Sequence, residues 1–206
     1  ALAPLAAPPG RAELAAAVAR ANDRVRAGRA ADPQVASMGS TVIIAAAQGP
    51  DPLATDPGAR TGAARWLVGH VGDSPAWHVT TEAAFRLTHD HTLAAELVRS
   101  GNLTADDADL HPGRHTLVRA IGSEGHVEPD VVPIDLGPGE ALVLASDGLS
   151  DVLDGPAIHQ VLAGTTTAAE AARALVDASL AAHTRDNVTT VVLRRLASSA
   201  DGATPA

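Results

Sequence analysis

Three aspartates occupy similar places in the sequence, each at the junction of a predicted strand and a turn. Asp73 lies in Gly-Asp-Ser after one strand, Asp147 in Ser-Asp-Gly after another, and Asp186 in Arg-Asp-Asn just before a third. If these sheet ends converge, the three carboxylates would repel one another strongly unless a cation neutralised them. Mg²⁺ and Mn²⁺ prefer oxygen ligands, and a pair of such ions can promote hydrolysis of a phosphoryl group by a bridging water. A divalent-metal site for phosphoryl transfer is therefore one interpretation of these residues.

Each of these motifs also has a simpler interpretation. An aspartate before Gly or Asn is common in turns, because its side chain accepts hydrogen bonds from nearby backbone amides. For any one of the three, turn formation alone is the more frequent explanation. Only their shared placement favours a site.

The elements that must position the aspartates are predicted to be strands in succession and helices in groups. The apolar patterning predicts helices over 11–29, 93–100, 149–163 and 167–182, and strands over 40–47, 64–71, 76–80, 84–88, 131–136, 141–145 and 187–196. Such an order is typical of the α+β class and not of an alternating parallel sheet. Residues 48–62 are predicted to form a surface loop and 197–206 a flexible tail.

The composition excludes several kinds of function. The 206 residues carry a formal net charge of −9 and include no Cys. We expect no nucleic-acid partner, because binding to the phosphate backbone requires a basic face. Disulfides, thiolate nucleophiles and Cys-based zinc sites are excluded. We recognise no signal peptide and no apolar run long enough to span a bilayer, and we expect a cytoplasmic protein.

Six short segments resemble motifs of the type 2C family of metal-dependent serine/threonine protein phosphatases, in the order in which that family has them. The segments are MGST at 38–41, HVGDS at 70–74, LTHDHT at 87–92, LVRAIG at 117–122, LASDGLSD at 144–151 and DNVT at 186–189. A single match carries little weight, but six collinear matches over about residues 10–196 make the resemblance strong.

The resemblance implies a four-layer α-β-β-α sandwich with two central antiparallel sheets. It implies a partial type 2C domain over 1–196, with a mobile flap at about 93–116 beside the active site. It also implies hydrolysis of phosphoserine and phosphothreonine in proteins with Mn²⁺ or Mg²⁺. The complete family site holds two such ions, and bacterial members hold a third.

The matching positions imply a role for each site residue. Asp147 and Asp186 would bind the catalytic metal pair, and Asp73 would bind the third ion. Ser146, Gly148 and Asn187 would support these ligands, with Asn187 orienting its neighbours.

The sequence departs from the family pattern in its first part. The RxxNED and DGMGG motifs, which supply a phosphate-binding Arg and the aspartate that bridges two metals, are not present, and neither are the strands that accompany them. Either the chain is a piece of a longer enzyme or it is a paralogue that no longer catalyses, and the three intact aspartates favour the first explanation. Pro75 also replaces the Arg that usually follows Gly-Asp-Ser.

Three hypotheses for function are compatible with the sequence. The leading one is a monomeric phosphatase that reverses a bacterial Ser/Thr kinase. The second is a regulatory phosphatase that acts on an anti-sigma antagonist, and the third is a non-catalytic module that binds a partner. A zinc site among His70, His89 and His91 is a weaker alternative, because strand and turn positions explain these histidines adequately.

Overall fold

Seven strands and six helices are formed by residues 8–48, 64–123 and 125–196, which a computed structural model describes. The helices are α1 (Arg11–Ala31), α2 (Leu93–Arg99), α3 (Ala105–Ala108), α4 (Asp147–Ser150), α5 (Gly155–Ala163) and α6 (Ala168–Ala181), and the strands are β1 (Val42–Ala47), β2 (Ala64–Val71), β3 (Ala76–Val79), β4 (Ala84–Arg86), β5 (Asp130–Leu136), β6 (Ala141–Ala145) and β7 (Thr190–Arg194). The tail at 197–206 and most of the loop predicted at 48–62 lie outside the described residues. No helix among those described is both long and apolar enough to cross a bilayer.

The strands form two sheets, with the orders β1-β2-β5 and β4-β3-β6-β7. In the second sheet all pairs are antiparallel, with Trp77 opposite Val143 and Leu142 opposite Leu193. The predicted α+β class with two sheets is confirmed. The chain divides into two compact units, the first holding residues up to 49, 67–75 and 87–133, and the second holding 50–66, 76–86 and 134–206.

In the first unit, α1 packs one face against the strands. Leu14 and Val18 are buried, Val18 against Val71 and Leu14 against Leu67, as the apolar stripe of this helix predicts. Asn22 is buried on the same helix although it is polar. Its Oδ1 accepts a hydrogen bond from the Gly122 amide at 2.7 Å, and its Nδ2 donates to the Gly125 carbonyl at 3.2 Å. These bonds offset the cost of burying the amide.

In the second unit, β6 is buried along its whole length and α5 and α6 cover the sheet. Ile158 of α5 and Leu175 of α6 are fully buried in this core. The prediction of one helix over 149–163 is wrong, because the chain forms α4, then a turn, then α5. The Asp154 side chain accepts the Ala157 amide and so starts a new helix, and Pro156 would interrupt a continuous one because it has no N–H to donate.

The predicted flap, residues 93–116, contains one helix that the sequence did not predict. This is α3, which follows the predicted helix at 93–100. It begins where Thr104 Oγ1 accepts the Asp107 amide at 3.2 Å. The closing strand is also shorter than predicted and begins at Thr190. Neither the additional helix nor the shorter strand removes an aspartate from the end of a strand.

Candidate metal centre

Asp147 lies directly beyond the buried strand β6, as the first residue of α4. Its Oδ1 accepts a hydrogen bond from the Gly148 amide at 2.9 Å. The carboxyl group is therefore oriented by the backbone that follows it, and the residue itself is half-buried. A strand that ends in a short helix presents its last polar side chain at the end of the sheet.

Asp186 lies in the turn before β7 and is exposed. Its Oδ1 accepts the Asn187 amide at 2.7 Å, the same arrangement that Asp147 has with its own successor. Nearby, Thr184 Oγ1 donates to the Gly148 carbonyl at 2.8 Å. This bond ties the turn of Asp186 to the residue that follows Asp147.

Ser146 joins the two loops more directly. Its Oγ donates to the Asn187 carbonyl at 3.1 Å and accepts from the Thr189 amide at 3.1 Å, while its own amide donates to the Thr189 carbonyl at 3.0 Å. Gly148 allows the close approach, because a Cβ at this position would lie 2.5 Å from the Asn187 carbonyl oxygen. The structure thus brings together the loops of Asp147 and Asp186, and Ser146, Gly148 and the Asn187 backbone are the groups that hold them.

The donor set in this unit suits a hard divalent cation. Each carboxylate uses one oxygen for a backbone amide, and among the described residues the second oxygen of Asp147 and of Asp186 has no hydrogen-bond partner. Oxygen ligands that keep a free lone pair are those that Mg²⁺ and Mn²⁺ prefer. These two residues fit the metal that the resemblance implies.

Asp73 lies in the first unit, in the turn after β2. Gly72 adopts φ = +105°, and a Cβ there would lie 2.4 Å from Thr41 Cγ2, so both the backbone and the space require glycine. Thr41 Oγ1 lies 2.7 Å from Ser74 Oγ. Pro75, which replaces the usual Arg of the family, is fully buried. The turn that carries Asp73 is therefore closely packed on both sides of the aspartate.

A cluster in the first unit contains two of the three histidines considered in the sequence, His70 and His91, but not His89. His91 stacks on His70, with ring centroids 4.6 Å apart, whereas His89 is exposed. His91 Nε2 lies 3.3 Å from Asp130 Oδ2, and Arg119 Nη1 donates to Asp130 Oδ1 at 2.6 Å. Spacing along the chain did not indicate Asp130 and Arg119 as partners of these histidines, because they meet only in the fold.

Burial dominates the electrostatics of the two rings. Desolvation, together with the neighbouring His91, lowers the pKa of His70 to about 4. Desolvation also lowers the pKa of His91, and the positive charge of Arg119 acts in the same direction. Both imidazoles are consequently neutral at pH 7.

Known proteins that are similar to the chain were found by sequence and by structure, although no family model matches it. The serine/threonine phosphatase Stp of Listeria innocua is 31% identical over 129 residues, which are 63% of this chain and 51% of Stp. The PPM Ser-Thr phosphatase MsPP of Mycobacterium smegmatis, solved in complex with cacodylate, is 36% identical, with a TM-score of 0.69 over 91% of this chain and 75% of MsPP. The chain belongs to the type 2C family of serine/threonine phosphatases.

A further type 2C structure has metal ions bound. The catalytic domain of the serine/threonine protein phosphatase PstP, solved in complex with two manganese ions, is 29% identical, with a TM-score of 0.69 over 89% of this chain and 72% of that domain. The chain spans about half the length of the curated relatives it matches. The resemblance that the six segments indicated is thus confirmed at the level of the family.

Proposed function

We propose that this protein hydrolyses phosphoserine and phosphothreonine in proteins with the help of Mn²⁺ or Mg²⁺, and so reverses the action of a bacterial Ser/Thr kinase. The observation that carries the proposal is the joined pair of loops that presents Asp147 and Asp186 at one end of a sheet, in a chain of the type 2C family. The bound manganese ions of PstP support the choice of metal.

Asp147 and Asp186 would hold the catalytic ions through the oxygen that each does not use for the backbone. When bound, such ions would supply positive charge beside the phosphoryl oxygens and an activated water for hydrolysis at neutral pH. Ser146 and Gly148 keep the two loops at a fixed separation, and the Asn187 backbone orients Asp186. Asp73 would bind the third ion.

The flap at 93–116 would control access of the substrate. Its ends are joined, because the Leu93 amide donates to the Thr116 carbonyl at 2.8 Å and the Ala94 amide donates to the Gly113 carbonyl at 3.3 Å. A segment with joined ends can move as a unit over a site. Leu110 in this segment is 84% exposed and would contact a protein substrate.

A phosphatase assay with Mn²⁺ and a phosphothreonine peptide tests the proposal. It is run on this chain and on a longer form that carries RxxNED and DGMGG motifs before Ala1. Asp147→Asn should lower the rate at least about 100-fold in the active form, because a residue that ligates the metal directly contributes more than the 10–100-fold of groups that only orient a ligand. Asp177→Asn on the exposed face of α6 is the charge-matched control and should be unaffected.

Each outcome of this assay has a definite meaning. If the longer form is inactive, the enzyme proposal fails and a non-catalytic binding module becomes the better account. If this chain alone is as active as the longer form, the RxxNED and DGMGG motifs are not required.

We further propose that the protein acts as a monomer in the cytoplasm, and size-exclusion chromatography with light scattering tests the first of these two points.

A further inference from the structure

We propose that His91 and Asp130 are positioning residues which fix the turn of Gly72 and Asp73, with Asp130 acting on that turn through His91. The inference rests on the proposed function, because it takes Asp73 as a metal ligand. All of these residues lie in the first unit.

His91 holds Gly72 by two hydrogen bonds at once. The Gly72 amide donates to His91 Nδ1 at 3.0 Å, and the His91 amide donates to the Gly72 carbonyl at 3.1 Å. The His91 side chain is only 6% exposed, so water cannot readily replace the first bond. Because Gly72 directly precedes Asp73, these bonds fix the backbone to which the Asp73 side chain is attached.

Asp130 determines which nitrogen of His91 can accept that bond. A neutral imidazole that accepts at Nδ1 carries its proton on Nε2. His91 Nε2 lies 3.3 Å from Asp130 Oδ2, a distance at which the carboxylate charge acts on it although the pair does not have the geometry of a hydrogen bond. Burial raises the pKa of Asp130, but the interactions with Arg119 and His91 outweigh this and lower it. The carboxylate is therefore ionised at pH 7 and favours the proton on Nε2, as a carboxylate does for a histidine that ligates a metal.

Thr41 supports the turn from another direction. Its Cγ2 occupies the space that a Cβ of residue 72 would need, and its Oγ1 lies 2.7 Å from Ser74 Oγ. The turn is thus held by a buried imidazole at Gly72 and by a threonine hydroxyl at Ser74. Asp73 lies between these two contacts.

The same cluster is poorly arranged to bind a metal ion itself. Ligand atoms of His70, His91 and Asp130 lie within 4.8 Å of one another, but the two rings are stacked with an angle of 16° between them. His91 Nδ1 is occupied by the Gly72 amide, which leaves Nε2 protonated and without a lone pair for a metal. Positioning, and not metal binding, is the role that this geometry supports.

The test uses the full chain and measures Gly72 and Asp73 by ¹H–¹⁵N NMR. His91→Leu removes the acceptor, whereas His91→Asn keeps an oxygen where Nδ1 stands. In His91→Leu we expect amide exchange at Gly72 to be at least about tenfold faster, which corresponds to about 1.4 kcal/mol for one lost hydrogen bond. His91→Asn should restore most of the protection. His89→Leu, which changes an exposed neighbour, is the matched control and should leave it unchanged.

Mn²⁺ titration gives a second readout that a purely structural role would not change. The Mn²⁺ concentration that broadens the Asp73 amide half-maximally should rise about 10-fold in His91→Leu and in Asp130→Asn, the usual effect of removing an outer-shell partner. Asp130 is half exposed, so its variant tests the idea even if His91→Leu does not fold. Long-range ¹H–¹⁵N spectra should show His91 protonated at Nε2 in the wild type and as a mixture of tautomers in Asp130→Asn.

The outcomes separate this inference from the proposed function. Unchanged Gly72 exchange and an unchanged Mn²⁺ midpoint in both variants would overturn the inference, even in an active phosphatase. An Asp73 amide that Mn²⁺ does not broaden in the wild type would also overturn it. If the protein dephosphorylates no peptide but the variants shift the midpoint as expected, the proposed function fails and the positioning role stands.

Discussion

Two regions of this protein present aspartates at sheet ends, and they fix them by different means. In the second unit, the loops of Asp147 and Asp186 are joined by the Ser146 hydroxyl and by backbone groups near the surface. In the first unit, the turn of Asp73 is held by His91, which is buried and packed on another ring. Backbone bonding depends on few side chains, whereas a buried side chain makes the turn dependent on residues that are distant in sequence. The substitutions below test this difference, from the largest expected effect to the smallest.

Gly72→Ala should be the most damaging single change to either region. The new Cβ would meet Thr41 Cγ2 at 2.4 Å, and the φ of +105° is unfavourable for alanine. Strain and overpacking together should lower the free energy of unfolding by about 3 kcal/mol, measured by urea denaturation. Gly101→Ala, at φ = +75° with nothing within 4 Å, isolates the backbone strain and should cost about 1 kcal/mol. Equal losses in the two variants would show that the contact with Thr41 is unimportant.

Gly148→Ala tests the close approach between the two loops of the second unit, and it adds no backbone strain. The Cβ would lie 2.5 Å from the Asn187 carbonyl oxygen, so the two loops must separate. We expect a loss of about 2 kcal/mol in the free energy of unfolding, with NMR shifts in the Asp186 turn. Gly164→Ala, whose Cβ would meet only ordinary contacts at 3.6 Å, is the control. Equal losses in Gly148→Ala and Gly164→Ala would show that the close approach to the Asn187 carbonyl is unimportant.

The buried histidine makes the first region sensitive to pH. The pKa of His70 is about 4 in the folded protein, below the 6.5 of an unfolded chain, so its contribution to stability is present above pH 6.5 and is lost as pH falls toward 4. Between pH 7 and pH 5.5 this amounts to about 1 kcal/mol. His70→Phe should show a smaller decrease over the same range in urea denaturation. An equal decrease in both proteins would mean that His70 is protonated in the folded state.

Ser146→Ala should have the smallest effect. It removes two hydrogen bonds between the loops, at a site where water can replace them, so we expect a loss of about 0.5 kcal/mol in the free energy of unfolding. Ser150→Ala, whose hydroxyl bonds only within its own turn to the Asp147 carbonyl, is the matched control. A loss above that of Gly148→Ala would show that Ser146 and not the close approach at Gly148 holds the loops.

The sequence predicted those parts of the protein that depend on neighbours in the chain. The strand before Asp73, the strand before Asp147 and the glycine of the first turn follow from local patterns. The break after α4 was also present in the sequence, in Asp154 and Pro156, but the apolar periodicity on both sides concealed it.

What could not be predicted depends on contacts between distant residues. Asn22 lies on the buried face of α1, and its partner, the Gly122 amide, is 100 residues away in the sequence. The bond of His91 to Gly72 could not be predicted either, because the two residues are 19 positions apart and no local pattern links them. A polar residue whose partner is remote leaves no periodic signal in a single sequence.

The most direct test of the central claim is the binding of Mn²⁺ to this chain, measured by electron paramagnetic resonance of the free ion. We predict that the wild type binds Mn²⁺ and that Asp147→Asn and Asp186→Asn each weaken the binding at least about 10-fold, while Asp177→Asn has no effect. Equal binding by the wild type and by Asp147→Asn would contradict the assignment of the joined loops as the metal centre.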